Sequence, residues 1–428
     1  MRSTRRGADE VVALGQAQQL HSTWCTAGVT TRLDVLPAER GAVSMSPGPD
    51  GGPPGMDLTP IVALLDDHVA QGRYPGAVVA VRHAGRTTVH ATGTLAVGGT
   101  DPVLPGTPFR VASLTKPFGG VLALSLVADG TLDLHDEAAR WLPELAAPRV
   151  LRRPGAELAD TVAAKAPITV RDLLQMTCGA GLLMDESPLA HAMWVGGVSP
   201  GPLPPARDPD SWVARLAELP LADQPGQGWR YHTGSDLLGV LLARATGRPL
   251  AELLAERVTR PLGLTGTAFW TDRPLPVQYA PGDAGLAVLD PADGVWSAPP
   301  VFASLGGGLV STAADVCAFL GAVADDALPG GVRAADVLRD GLTDVQRAAA
   351  QTFLGPGRTW ATGNLELTLE VTDPWTTPGR FGWTGGTGTS GYCDPTLDLV
   401  AVLLTQRMMT GPHDGPEEFW RAARGAVT

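Results

Sequence analysis

The spacing of apolar residues changes period several times along the chain, and each change marks an element. From Leu58 to Gly72, Ile61, Leu64, Leu65 and Val69 recur at helical spacing. Tyr74-Pro-Gly76 reads as a turn. Two β-rich runs, Ala77–Arg82 and Arg86–Thr92, joined by His83-Ala-Gly85, then read as a hairpin. After a loop at 98–108, a helical pattern runs from Ser113 to Asp129, with Gly130 as its stop. Residues 133–300 alternate short helical patterns with Pro-rich loops. Thr169 is the expected N-cap of a helix reaching Met176, and Asp236–Thr246 and Leu250–Val258 are predicted helices. Ser187–Pro209 reads as a long loop of the kind that forms lids. Ser304-Leu-Gly-Gly-Gly-Leu-Val-Ser-Thr312 leads into a predicted helix at Ala313–Val323. From Arg380 the pattern becomes strand-like, at Phe381–Thr384, Gly388–Tyr392 and Leu399–Thr405, before a closing helix at Pro416–Ala426.

Strands at both ends with helices between predict an α+β chain: a discontinuous α/β domain holding a mainly helical insert. The expected boundaries are 56–112 and 300–428 for the sheet domain and 113–299 for the helical one. Residues 1–55 are rich in Gly, Pro, Arg and Ser and read as a disordered extension, with Met56 as the expected translation start.

Composition narrows the function. The net charge of −12 argues against nucleic acid and against an anionic membrane surface. No run approaches the ~18 apolar residues of a membrane span, and the basic start MRSTRR lacks the apolar core of a secretory leader. Cys25, Cys178, Cys317 and Cys393 lie far apart with no metal-ligand spacing. The expectation is a cytoplasmic protein with free thiols, no metal and no cofactor.

One bias points at chemistry. The chain has 30 Arg but only two Lys, Lys116 and Lys165. Arginine holds its proton in proteins, whereas lysine can give it up, so a retained lysine is a candidate base. With 14 Ser and two Lys in 428 residues, a chance Ser-x-x-Lys is expected about 14 × 2/428, or ~0.07, times. Ser113 and Lys116 form one, on one helical face. Pro117 is tolerated only in a first turn, so it fixes the helix start near Ser113. There the dipole and burial favour a neutral lysine that can activate a serine for acyl transfer.

Phe109-Arg-Val-Ala-Ser-Leu-Thr-Lys116 resembles the nucleophile motif of the serine β-lactamase and penicillin-binding-protein superfamily, nearest to its class C-like esterases. The resemblance implies an antiparallel sheet flanked by helices, and two further motifs. Trp229-Arg-Tyr-His-Thr-Gly-Ser-Asp-Leu-Leu-Gly239 is similar to the second. It gives Tyr231 a share in proton shuttling and puts Thr233 where asparagine is usual, with His232 expected to point away. Gly382-Trp-Thr-Gly-Gly-Thr-Gly-Thr-Ser390 fills the place of the third. There Trp383 replaces the family's cation as an apolar wall, Thr384 and Gly385 follow the strand edge, and the Gly386 N–H joins that of Ser113 in holding an oxyanion.

The implied activity is a serine hydrolase acting on a small ester or amide through an acyl-enzyme on Ser113. A β-lactamase, a D-amino-acid peptidase, an acyltransferase or a non-catalytic binding protein on the same scaffold are the alternatives. Gly386-Thr-Gly-Thr-Ser-Gly391 matches a dinucleotide fingerprint by letter, but no helix pattern follows it. No G-x-S-x-G elbow is present.

Overall fold

A computed structural model describes residues 56–411 and 414–428, so the expectation for residues 1–55 falls outside the described residues. The strongest β-formers make one sheet. Gly76–His83 (β1) and Arg86–Gly93 (β2) form the expected hairpin. Arg358–Ala361 (β3), Leu365–Thr368 (β4), Phe381–Gly385 (β5), Thr389–Asp394 (β6) and Leu399–Thr405 (β7) complete seven strands in the order β2-β1-β7-β6-β5-β4-β3. Every neighbouring pair is antiparallel. β1 meets β7 from Ala77↔Thr405 to His83↔Leu399, which ties the two ends of the described chain together.

β7 is buried over its whole length because both faces of the sheet are covered. Its alternation sends Val400, Val402 and Leu404 into the inner core, and Leu399, Ala401 and Leu403 into an outer layer. The outer layer is closed by the helices Thr59–Ala70 and Glu417–Gly425 through Ile61, Leu65, Phe419 and Trp420. The inner face carries the helices Thr115–Ala128 and Ala313–Ala324, where Phe118 stacks on Phe319 at 3.9 Å. Residues Thr115–Leu126 are all buried, so this helix runs through the core.

Local signals worked where capping chemistry was explicit. Thr169 caps the helix Val170–Leu174 in a reciprocal box with Asp172. The segment 187–209 departs from the expected loop: Ser187 caps a helix at Pro188–Val195, with proline in the first turn, where it is tolerated. A similar start, with Asp208 as cap before Pro209, opens an unpredicted helix at Pro209–Ala217, and Asp344–Leu354 is another. β3 and β4, four residues each, were also not predicted. Of the dinucleotide-like glycines, Gly386 and Gly388 form the turn from β5 into β6, and Gly391 lies within β6 opposite Trp383. No helix among the described residues is long and apolar enough to cross a membrane.

Candidate active site

Ser113 sits on a short 3₁₀ turn, Ala112–Leu114, that feeds the core helix at Thr115. Ala112 is held at φ 44°, a left-handed conformation that costs an alanine strain. The sheet fixes this turn from below. Thr389 Oγ1 donates to the Val111 carbonyl at 3.0 Å, and Thr387 Oγ1 to that of Arg110 at 2.7 Å. Gly385 is packed behind the turn, not on the cavity wall: a Cβ there would stand 2.4 Å from the Val111 carbonyl oxygen.

One helical turn on, Lys116 is fully buried. Its Nζ donates to Ser113 Oγ at 3.0 Å and to the Gly306 carbonyl at 2.5 Å, and lies 4.3 Å from the centre of the Tyr231 ring. Burial lowers its pKa to about 7, against the opposing charge of Asp236. Close to neutral pH it therefore has an unprotonated population that can accept a proton.

Tyr231 is buried beside the serine and the lysine. Burial raises its phenol, offset in part by hydrogen bonds involving Ser113 and Trp383, so it stays protonated. Trp383, expected as a plain apolar wall, has a further role: its indole N–H donates to Tyr231 Oη at 2.6 Å. That bond uses an acceptor site of the phenol and leaves its proton for another partner.

His232 also departs from expectation, because it turns inward. It has φ 84° and ψ −63°, and Thr233 N donates across it to the Tyr231 carbonyl at 3.2 Å. These mark a γ-turn of the strained hand, which reverses the side chain's direction. Its Nδ1 lies 3.4 Å from Lys116 Nζ and its Nε2 3.3 Å from Asp236 Oδ2. Burial raises the Asp236 carboxyl, but its bonds with His232, Ser304 and Gly306 outweigh that and hold it below its ordinary value. His232 is held low, first by burial and then by Lys116. With Asp236 charged, Nε2 carries the proton and Nδ1 accepts from the lysine. Asp236 Oδ1 also accepts from Ser304 Oγ at 2.7 Å and from Gly306 N at 2.9 Å, which fixes the loop that offers its carbonyl to Lys116. His232, Asp236 and Gly306 were missed as site residues; the run of three glycines after Leu305 was the one available signal.

Ser113, Tyr231, His232, Thr233, Trp383, Thr384 and Gly386 line one cavity of about 1360 Å³. Thr233 Oγ1 is buried without a hydrogen-bond partner among the described residues. Thr384 Oγ1 pairs with Ser390 Oγ at 3.1 Å on the outer face of the sheet. The segment expected as a lid supplies Trp194, Val195, Val198 and Leu203, and Phe353 and Met409 face them. No group of three or more His, Cys, Asp or Glu side chains among the described residues could hold a metal ion.

A family model described as Beta-lactamase matches residues 61–425. Protein Rv1367c of Mycobacterium tuberculosis is 34% identical over 325 residues, covering 71% of this chain and 79% of its own. Esterase EstB of Burkholderia gladioli is 32% identical over 377 residues, covering 82% and 91%. Among solved structures, EstCE1, described as a hydrolase with promiscuous acyltransferase activity, matches with a TM-score of 0.73 at 24% identity, over 86% of this chain and 98% of its own.

Proposed function

Since this chain belongs to the β-lactamase family, we propose that it is a serine esterase working through an acyl-enzyme on Ser113. The observation that carries this reading is the 3.0 Å bond between Ser113 Oγ and a fully buried Lys116 whose pKa is lowered to about 7, at the wall of an apolar cavity.

In the proposed cycle neutral Lys116 takes the Ser113 proton as Oγ bonds to the ester carbonyl carbon. The N–H groups of Ser113 and Gly386 receive the oxyanion. The ester C–O bond then breaks, and Tyr231 hands its proton to the departing alkoxide while Lys116 replaces it. Water repeats the sequence on the acyl-enzyme and releases the acid. His232 and Asp236 act through Lys116 as positioning residues.

The substrate is expected to carry no charge beside the reacting ester, because Trp383 supplies a hydrogen bond where the family's cation would meet a β-lactam carboxylate. The volume of the cavity also favours an acceptor alcohol beside the acyl group, so acyl transfer is the second reading. The test is an ester panel on wild type and Ser113→Ala, with an alkyl phosphonate as a covalent probe. Loss of turnover by at least ~10³-fold and of phosphonate labelling in Ser113→Ala is expected. Equal turnover in the two proteins refutes the reading. Nitrocefin turnover matching that of a short p-nitrophenyl ester moves the protein to the β-lactamases.

A further inference from the structure

The cavity does not end at the catalytic group. It continues to the outer face of the sheet, where its lining changes from apolar to charged: Arg358, Glu366, Asp373, Arg380, Tyr392 and Trp420. Arg380, immediately before β5, is only 3% exposed. Its guanidinium carbon lies 3.7 Å from the Tyr392 ring centre and 4.4 Å from that of Trp420. The rings attract its charge but accept none of its in-plane N–H groups. Those groups make no hydrogen bond to any described residue, although the arginine is buried. Beside it, Glu366 on β4 is 1% exposed and its Oε1 has no partner. Its Oε2 meets Arg358 at 3.5 Å, and Arg358 is bound at its other amino group by Asp373.

Donors of Arg380 that line the cavity without a protein partner, beside a buried acceptor left open on Glu366, imply an occupant that pairs with the guanidinium. The open guanidinium fork of Arg380 favours a single carboxylate. Arg358 and Arg380 face Glu366, Asp373 and Asp394, and burial raises the Glu366 carboxyl against the pull of both arginines, which weakens its opposition to a bound anion. Asp394 acts on Arg380 by its charge; its Oδ1 is occupied by Thr377 and by Thr396 N, its Oδ2 is buried without a partner, and Glu417 at the rim is in solvent. A planar carboxylate fits a guanidinium fork. A dianion would bring a second charge towards Asp373.

We propose that this recess is a carboxylate subsite, holding an acidic group on the part of the substrate remote from the ester at Ser113. The proposal rests on the acyl-enzyme reading for the position of the reacting bond. Four residues of extended strand separate Arg380 from Thr384, a reach of ~13 Å at about 3.3 Å per residue.

The test compares p-nitrophenyl monoesters of dicarboxylic acids of increasing length with p-nitrophenyl esters of the matching monocarboxylic acids, on the full chain and on Arg380→Gln. The ratio of kcat/KM for acidic over neutral ester is expected to peak at spacers near that reach. Arg380→Gln is expected to cut the ratio at least tenfold, through KM, with neutral-ester turnover unchanged. A ratio that Arg380→Gln leaves alone overturns the proposal. So does an equal loss on both esters with a lower unfolding midpoint, which makes Arg380 a packing residue. If wild type turns over neither series, the acyl-enzyme reading has failed, and calorimetry decides the subsite separately. A long-chain dicarboxylate must then bind wild type at least tenfold more tightly than Arg380→Gln.

Discussion

Replacing Asp236 by Asn tests how Lys116 is set. Asn keeps an oxygen for Ser304 and Gly306, which bond Oδ1 at 2.7 and 2.9 Å, so the loop carrying the Gly306 carbonyl is retained. What is removed is the charge. One imidazole separates Asp236 from Lys116, with contacts of 3.3 and 3.4 Å on its two sides. A charge separation of roughly 6–8 Å at an effective dielectric of ~20 is worth ~2–3 kcal/mol, or ~1.5–2 pK units. The sign follows from which form the carboxylate favours. Asp236 stabilises the lysine ammonium and raises its pKa against the dominant effect of burial. Removing it lowers that pKa further. The amide also donates to Nε2 and puts the His232 proton on Nδ1, facing the lysine, which disfavours the ammonium again. In wild type, kcat/KM should fall tenfold per pH unit well below the Lys116 pKa of about 7, as the base protonates. In Asp236→Asn the fall should begin ~1–2 units lower, and the plateau should drop because a weaker base takes the serine proton less readily. Initial rates on a neutral ester from pH 4.5 to 9, measured in a pH-stat, read both. An acid limb that stays in place, or moves to higher pH, refutes the electrostatic coupling.

Trp383→Phe keeps the ring but removes the donor 2.6 Å from Tyr231 Oη; a loss of ~5–10-fold in kcat, or ~1–1.5 kcal/mol, is expected from steady-state kinetics. Gly306→Ala would place a Cβ 2.4 Å from His232 Nε2 and 2.9 Å from Asp236 Oδ2. It should cost ~1–3 kcal/mol in denaturant unfolding and reduce kcat as the lysine loses its carbonyl partner. Ala112→Gly relieves a left-handed φ of 44°, worth ~1–2 kcal/mol, against ~0.4–1 kcal/mol of extra unfolded-state entropy. Its unfolding midpoint should be unchanged or higher; a clear fall would show that Ala112 stores no strain.

The sequence brought the proposed nucleophile and base together, at 3.0 Å in the structure, because Ser113, Lys116 and Pro117 obey helical spacing and first-turn rules that need no tertiary information. It carried β1 and β7 because their runs are long and apolar, and β2, β5 and β6 because they are rich in β-branched and aromatic residues between turn signals. β3 and β4 are four residues each and include Arg358, Thr359 and Glu366, whose burial depends on neighbours that only the closed sheet provides. His232 was misread for a backbone reason. Residue spacing assumes an ordinary chain direction, and a positive φ at His232 reverses it. Gly306 contributes only a carbonyl, and a backbone group has no signature among residue types.

Trp383 shows how these parts depend on one another. A cation at its position, as in the family motif, would lie within the same buried cluster as Lys116 and Tyr231, since the indole bonds Tyr231 at 2.6 Å and the lysine lies 4.3 Å from that ring. Two positive charges there would repel, and the lysine would be forced neutral by its neighbour. With an indole in place, the hydrogen bond to the phenol is made without charge, and burial alone has to lower the Lys116 pKa. The Asp236–His232 pair is then free to act in the opposite direction, raising that pKa to near neutrality. The base strength of the site is therefore set by one desolvation and one charge of opposite effect, and the Asp236→Asn profile separates the two.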